Sequence, residues 1–431
     1  MPETRPELER ITRQVPVPEP AFERLLRRRD RNQRNRRIAA GTVGSAVALL
    51  VAGVLGASLL RADDAQRPAA TIGPQPGSLL PSGAFAFTSS VTPGARPFGS
   101  LQVYMEQTDG SVTQVTDGHQ NNEAESWSPD GTQLIVQRNG PGGQDLFVVK
   151  ADGSGETRLT NDPEWDGYSA FSPDGSLIAY VKDTVGGDGL YVVRPDGTGA
   201  SRISPAGGNV DSWQDPRQPF SWSPDGRQLV FSQNSKPTGS PTYDPLDSQL
   251  YVVNADGSHL RPLLGATGAR IDDGCFTRQD YRSCGRLEQP TWSPNGTAIA
   301  FVGVDASGSE IVGRSDVYVM HADGTGLTRL TDPQSFPTNY GCGLPAWSPD
   351  STRIAFNCGT GTAYVMNADG TGLVTVAEAF GDTWSPDGTQ LGVSAHHGVW
   401  FVNADGSGGI TRAADDGRSD LSDWNAPLWR P

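Results

Sequence analysis

The chain has 431 residues, enough for several domains or one large repetitive one, and its 53 Gly and 33 Pro point to a fold dense in turns. Trp, Tyr and Phe are spread evenly among those turns, which excludes a disordered chain. The net charge of -15 argues against a nucleic-acid partner and conceals an asymmetry, because residues 1–37 carry 11 Arg against 6 acidic side chains and leave -20 for the remainder.

The junction between these parts explains the asymmetry. Ile38 to Leu60 reads IAAGTVGSAVALLVAGVLGASLL, 23 residues without a charge. At roughly 1.5 Å per residue, such a helix crosses a hydrocarbon core of about 30 Å. The arginine excess lies on its N-terminal side, so the positive-inside rule places residues 1–37 in the cytoplasm and the long C-terminal part outside the cell membrane. We read a cytoplasmic basic segment (1–37) and a single-pass transmembrane signal anchor (38–60). The alternatives are a cleaved secretory signal, which ordinarily has a shorter apolar run and a shorter basic start, and a buried helix of a soluble protein, which would have to be wrapped on all sides. Residues 61–83, rich in Pro, Gly and Ala without a strand or helix period, read as a flexible linker.

Self-similarity begins after the linker. A Trp or Phe followed by Ser-Pro-Asp-Gly or a near variant occurs at Trp127, Phe171, Trp222, Trp292, Trp347 and Trp384. A second turn, Ala-Asp-Gly or Pro-Asp-Gly in most copies, follows each, and an unpartnered copy of it ends at Gly110. Short runs rich in Val, Ile, Phe and Tyr separate the turns, as in QLIVQ (133–137) and LFVVK (146–150). Asp-Gly between such runs is a hairpin signal, so each unit is expected to be four antiparallel strands. Four-stranded units repeated at this period predict a β-propeller. The first unit (84–116) lacks its leading strand, whereas Leu428-Trp429-Arg430-Pro431 matches a leading Trp-Ser-Pro strand with nothing after it. The two fragments complete one blade, which predicts seven blades over 84–431, closed by N- and C-terminal strands.

The run from Trp292 to Thr331, WSPNGTAIAFVGVDASGSEIVGRSDVYVMHADGTGLTRLT, resembles the repeat of TolB-type propellers, also found in the propeller domains of prolyl-oligopeptidase-like enzymes. The basic start and single anchor are similar to membrane-tethered propellers of actinobacterial type. The resemblance implies the fold and leaves function open. An N-terminal α/β domain of the kind that precedes the periplasmic TolB propeller is absent, which argues against a Tol-system role.

In a propeller the two kinds of Asp-Gly turn lie on one face, and the connections of variable length lie on the other. Binding is expected on the variable face. The loops there bring Glu123, Glu125, Trp165, Asp166, Trp213, Asp215, Tyr340, Asp382, Asp423 and Trp424, carboxylates and rings suited to a basic partner, a peptide or a sugar. The same residues also suit solvated loops and blade packing.

Catalytic signatures are missing. No Gly-x-Ser-x-Gly occurs, the adjacent His396 and His397 splay apart, and the Ala-Asp-Gly strings lack the alternating acidic ligands of a calcium loop. No cofactor and no metal site is expected. Cys342 and Cys358 fall opposite each other in a hairpin and suit a cross-strand disulfide, which leaves Cys275 to pair with Cys284 inside the 264–290 insertion. Zinc is the rival reading for the four cysteines. The expected function is a membrane-anchored extracytoplasmic module that binds protein, peptide or glycan without catalysis. The alternatives are a transmembrane sensor signalling through residues 1–37, and a propeller hydrolase or lyase acting through acidic residues at the channel mouth.

Overall fold

The computed structural model describes residues 83–89, 100–118, 120–140, 143–184, 187–210, 219–234, 248–263, 287–304, 315–331, 336, 341–359, 361–395, 398–407, 411–412 and 428–431. All belong to one compact body, Ile72–Pro431. The expected span 38–60 lies outside the described residues, and among those described no helix is long and apolar enough to cross a membrane.

The described residues are all-β and propeller-like. Strands Phe85–Ser89, Gln102–Glu106 and Val112–Gln114 form an antiparallel sheet whose leading strand is Leu428–Trp429, paired as Phe85 with Trp429 and Ala86 with Leu428. Two further units share an eight-stranded sheet, joined by a parallel contact of Gln144 with Trp165. Three four-stranded sheets begin at Leu287–Trp292, Cys342–Trp347 and Phe380–Trp384.

The sheet built on Gln228–Asn234 departs from the expected pattern. It has five strands, because two short pieces, Asn209–Val210 and Phe220–Trp222, pair with the same neighbour in place of one continuous inner strand. Pro219, just before Phe220, cannot donate to a ladder, a local reason for the second piece to start there.

The core lies between successive sheets. Val210, Phe220, Trp222 and Phe231 pack on Tyr168, Val181 and Val192 of the preceding unit, and Leu250 and Val252 pack on Ile299 and Phe301 of the following one. The motif tryptophans bridge the same junctions. Trp222 donates its indole N–H to the Ala170 carbonyl (3.2 Å), Trp347 to Thr291 (3.2 Å), Trp384 to Ala346 (3.0 Å) and Trp429 to Thr383 (3.2 Å). Each acceptor is the residue just before the aromatic of the preceding copy. Trp292 differs, donating to Gly296 within its own turn while its backbone N–H is taken by the Ser221 hydroxyl.

The hairpin Cys342–Trp347 with Arg353–Cys358 carries the expected disulfide between Cys342 and Cys358, whose Cα atoms are 4.1 Å apart. Cys275 and Cys284 lie outside the described residues.

Candidate binding face

The Ser-Pro-Asp-Gly turns consume their own polar groups. Ser128 donates its hydroxyl to Asp130 (2.6 Å) and accepts from the Gln133 N–H (2.9 Å), while Asp130 also accepts from the Thr132 N–H and hydroxyl. The same ring of bonds recurs at Ser172, Ser223, Ser293, Ser348 and Ser385. The Ser128 hydroxyl and the Thr132 donors hold the Asp130 carboxyl down to about 2, so it stays ionised as an acceptor of turn bonds. Gly131 takes φ 65, a backbone that suits glycine. Ser351 occupies the equivalent place at φ 62, and its hydroxyl accepts from the Asn295 N–H at 3.0 Å, a bond that glycine cannot make. These residues build scaffold.

Five of the inner strands carry an irregularity near the middle. Register shifts fall between Ala124 and Ser126, Gly167 and Ala170, Glu288 and Thr291, Gly343 and Ala346, and Gly381 and Thr383. Tyr168, Gln289 and Leu344 sit there at φ 50, 53 and 63, in the left-handed region. Such bulges re-aim a side chain and cost backbone strain, which neighbouring contacts must offset. Glu125 is the extra residue of its bulge, and its Oε2 accepts from the Ser169 N–H of the next unit at 2.9 Å. Gln289 repeats the arrangement, its Oε1 accepting from the Leu344 N–H at 2.7 Å. One side chain thus satisfies a backbone donor that its neighbour's bulge leaves outside the ladder.

Glu125 is half-buried, with protein close around it on the side of Ser169 and Tyr168. Burial pushes its carboxyl up to about 7, against the pull of those backbone bonds, and the charge of Glu123 adds to the rise. Glu123 is itself half-buried and pairs with Gln137 in the ladder.

Trp165 and Asp166 were expected in a loop entering an inner strand, and they lie instead within the strand Trp165–Phe171. Trp165 packs on Tyr168, ring centroids 5.1 Å apart. Asp166 is fully buried opposite Lys182, its backbone carbonyl accepts from Gln137 Nε2 at 2.7 Å, and neither carboxylate oxygen has a hydrogen-bond partner at bonding geometry. Burial raises its carboxyl to about 7, opposed by the Lys182 charge and by the nearby Thr160 hydroxyl. Lys182 bonds Asp162 directly and lies 3.7 Å from Glu164. The positive charge of this acidic corner is therefore supplied by the chain itself. Sequence reasoning missed Lys182 and Gln137, although Lys182 is one of only three lysines in the chain.

Asp382 is the extra residue between Gly381 and Thr383, the position that Glu125 takes in its own unit, and its side chain is outside the described residues. Trp213, Asp215, Tyr340, Asp423 and Trp424 also lie outside them, as do His396 and His397. Among the described residues no three His, Cys, Asp or Glu side chains converge to hold a metal ion.

With this geometry in place, comparison with known proteins bears on the fold. Residues 98–243 match the family model of the TolB beta propeller domain. No curated protein matches the sequence. Among solved structures, an oligogalacturonate lyase in complex with manganese is 13% identical with a TM-score of 0.52, covering 80% of this chain and 89% of its own. The oligogalacturonate lyase of Vibrio parahaemolyticus is 12% identical with a TM-score of 0.50, covering 79% and 89%. The putative TolB of Agrobacterium tumefaciens is 19% identical over 71% of this chain and 95% of its own, with a TM-score of 0.41. At these identities the likeness concerns the fold.

Proposed function

We propose that this chain is a membrane-anchored, extracytoplasmic, seven-bladed propeller that binds a protein, peptide or cell-wall glycan through its variable face and does not itself catalyse a reaction. The observation that carries the reading is the complete use of the repeated Ser, Asp and Trp side chains in turns and junctions. With the repeated turn residues committed to scaffold, recognition of a protein, peptide or glycan is assigned to the face of Glu123 and Glu125.

Seven blades are supported by the pairing of Leu428–Trp429 with Phe85–Ser89 and by a cluster of Phe85, Phe401 and Trp429 joining the first unit to the last. Phe85 and Phe401 stand 4.9 Å apart edge to face, and Phe401 and Trp429 stand 4.7 Å apart.

The test is proximity cross-linking of the full chain in cells, followed by capture. A reproducible envelope protein or glycan, lost when variable-face residues are changed, supports the reading. Capture that depends only on residues 1–26 overturns it in favour of a sensor acting through its cytoplasmic segment.

A further inference from the structure

The turn end of the sheets holds a hollow of about 310 Å³, lined by Thr132, Gln133, Lys150, Ala151, Asp152 and Arg430. Two of the six carry positive charge, in a chain that is -20 beyond residue 37. Lys150 ends the strand Gln144–Lys150 with an exposed side chain. Among the described residues it makes no ion pair or side-chain hydrogen bond, only a longer-range attraction to Asp152. The Asp152 carboxylate is turned onto its own hairpin, accepting from the Ser154 N–H at 2.8 Å.

Arg430 stands at the place that Ser128, Ser172 and Ser223 fill in the other copies of the motif. Those serines fold back onto their own turns, whereas Arg430 reaches across to the next unit. Its Nε donates to the Gly131 carbonyl at 2.8 Å, and its guanidinium lies 5.8 Å from the centre of the Trp127 ring. These contacts fix the plane of the guanidinium and leave its Nη groups without a hydrogen-bond partner among the described residues. A planar fork held in place in the same hollow as an exposed ammonium is a donor set that recognises an oxyanion.

We propose that this hollow binds an oxyanion, specifically a phosphate or phosphodiester group, between the Nη edge of Arg430 and Nζ of Lys150. The group has two sources, a soluble phosphate or the headgroup of an anionic lipid, and the proposal concerns the chemistry they share. It stands whether or not the chain is membrane-anchored, because soluble probes test it.

The experiment is titration calorimetry on the full chain in a non-ionic detergent, with ionic strength held constant by chloride so that screening does not change. The probes are inorganic phosphate, and dihexanoyl phosphatidylglycerol below its micelle concentration with the matching phosphatidylcholine as control. We expect saturable binding that Lys150→Gln and Arg430→Gln each weaken about tenfold, as loss of one charge-assisted partner does. Tighter binding of phosphatidylglycerol than of inorganic phosphate identifies the lipid source, and equal binding identifies the soluble one. Absence of saturable binding overturns the proposal, as does binding that Lys150→Gln leaves unchanged. Lys150 is exposed, so its substitution keeps the test decisive even where Arg430→Gln weakens the fold.

Discussion

Trp127 donates its indole N–H to the carbonyl of Leu428 at 2.9 Å, across 301 residues of sequence. The offset is the same as at the other junctions, since Leu428 immediately precedes Trp429 as Ala346 precedes Trp347. The bond between Trp127 and Leu428 thus repeats the one seen between neighbouring units. Trp127→Phe keeps the packing area and removes the donor, leaving a carbonyl at a junction without its partner. Loss of about 1 kcal/mol is expected, read as a lower urea midpoint with an unchanged slope.

Removal of residues 428–431 acts differently. It exposes the strand Phe85–Ser89 as a sheet edge and uncovers Phe401. Bare edges of this kind pair with other chains. The truncated protein is expected to associate in light scattering at concentrations where the full chain stays dispersed.

Ser128→Ala removes the donor to Asp130 and the acceptor of the Gln133 N–H in a turn where Ser128 is buried. A cost of about 1–2 kcal/mol is expected, with no change in ligand capture if the turn is scaffold. Loss of capture in a protein that still unfolds cooperatively would assign the turn to the site.

Cys342 and Cys358 close a loop with a sequence separation of 16. Chain-entropy arguments put the contribution of such a loop at about 2–3 kcal/mol. The double Ala variant should unfold at correspondingly lower urea, and reductant should shift the wild type by more than it shifts the variant, which keeps only Cys275 and Cys284.

Proton linkage is expected at Asp166 and Glu125. Both carboxyls rise to about 7 in the folded chain, against roughly 4 when unfolded. The folded state therefore holds more protons, so this contribution to stability is complete below the unfolded value, declines as pH rises, and is gone above the folded value. Asp166→Asn should flatten the decline by on the order of 2 kcal/mol between about pH 5 and 8. A wild-type slope that Asp166→Asn leaves intact would place the linkage elsewhere.

The parts of the fold legible in sequence are those with local causes. Asp130-Gly131 forms its turn from atoms within five residues, and the opposition of Cys342 and Cys358 follows from counting outward from such a turn. The bond from Trp127 to Leu428 was not legible as a bond, because donor and acceptor meet only after the intervening units have assembled. The candidate face was legible only in outline. Glu125 is set apart from Glu123 by a bulge and by Ser169 of the next unit, and Asp166 is buried by a neighbouring strand rather than by its own residue type. Alternating pattern reports which residues face inward, not which inward group finds a partner.

The division between scaffold face and binding face is tested most directly by site-specific photocross-linking in cells. A photoreactive side chain is placed at Glu123 or at Asp183, the last residue of the strand Ile178–Asp183 that pairs with Trp165, and at Asp225 or Asp369 in the Asp-Gly turns at the other end of the sheets. A ligand adduct is expected from Glu123 or Asp183 and none from the two turn positions. Adducts confined to Asp225 and Asp369 would contradict it.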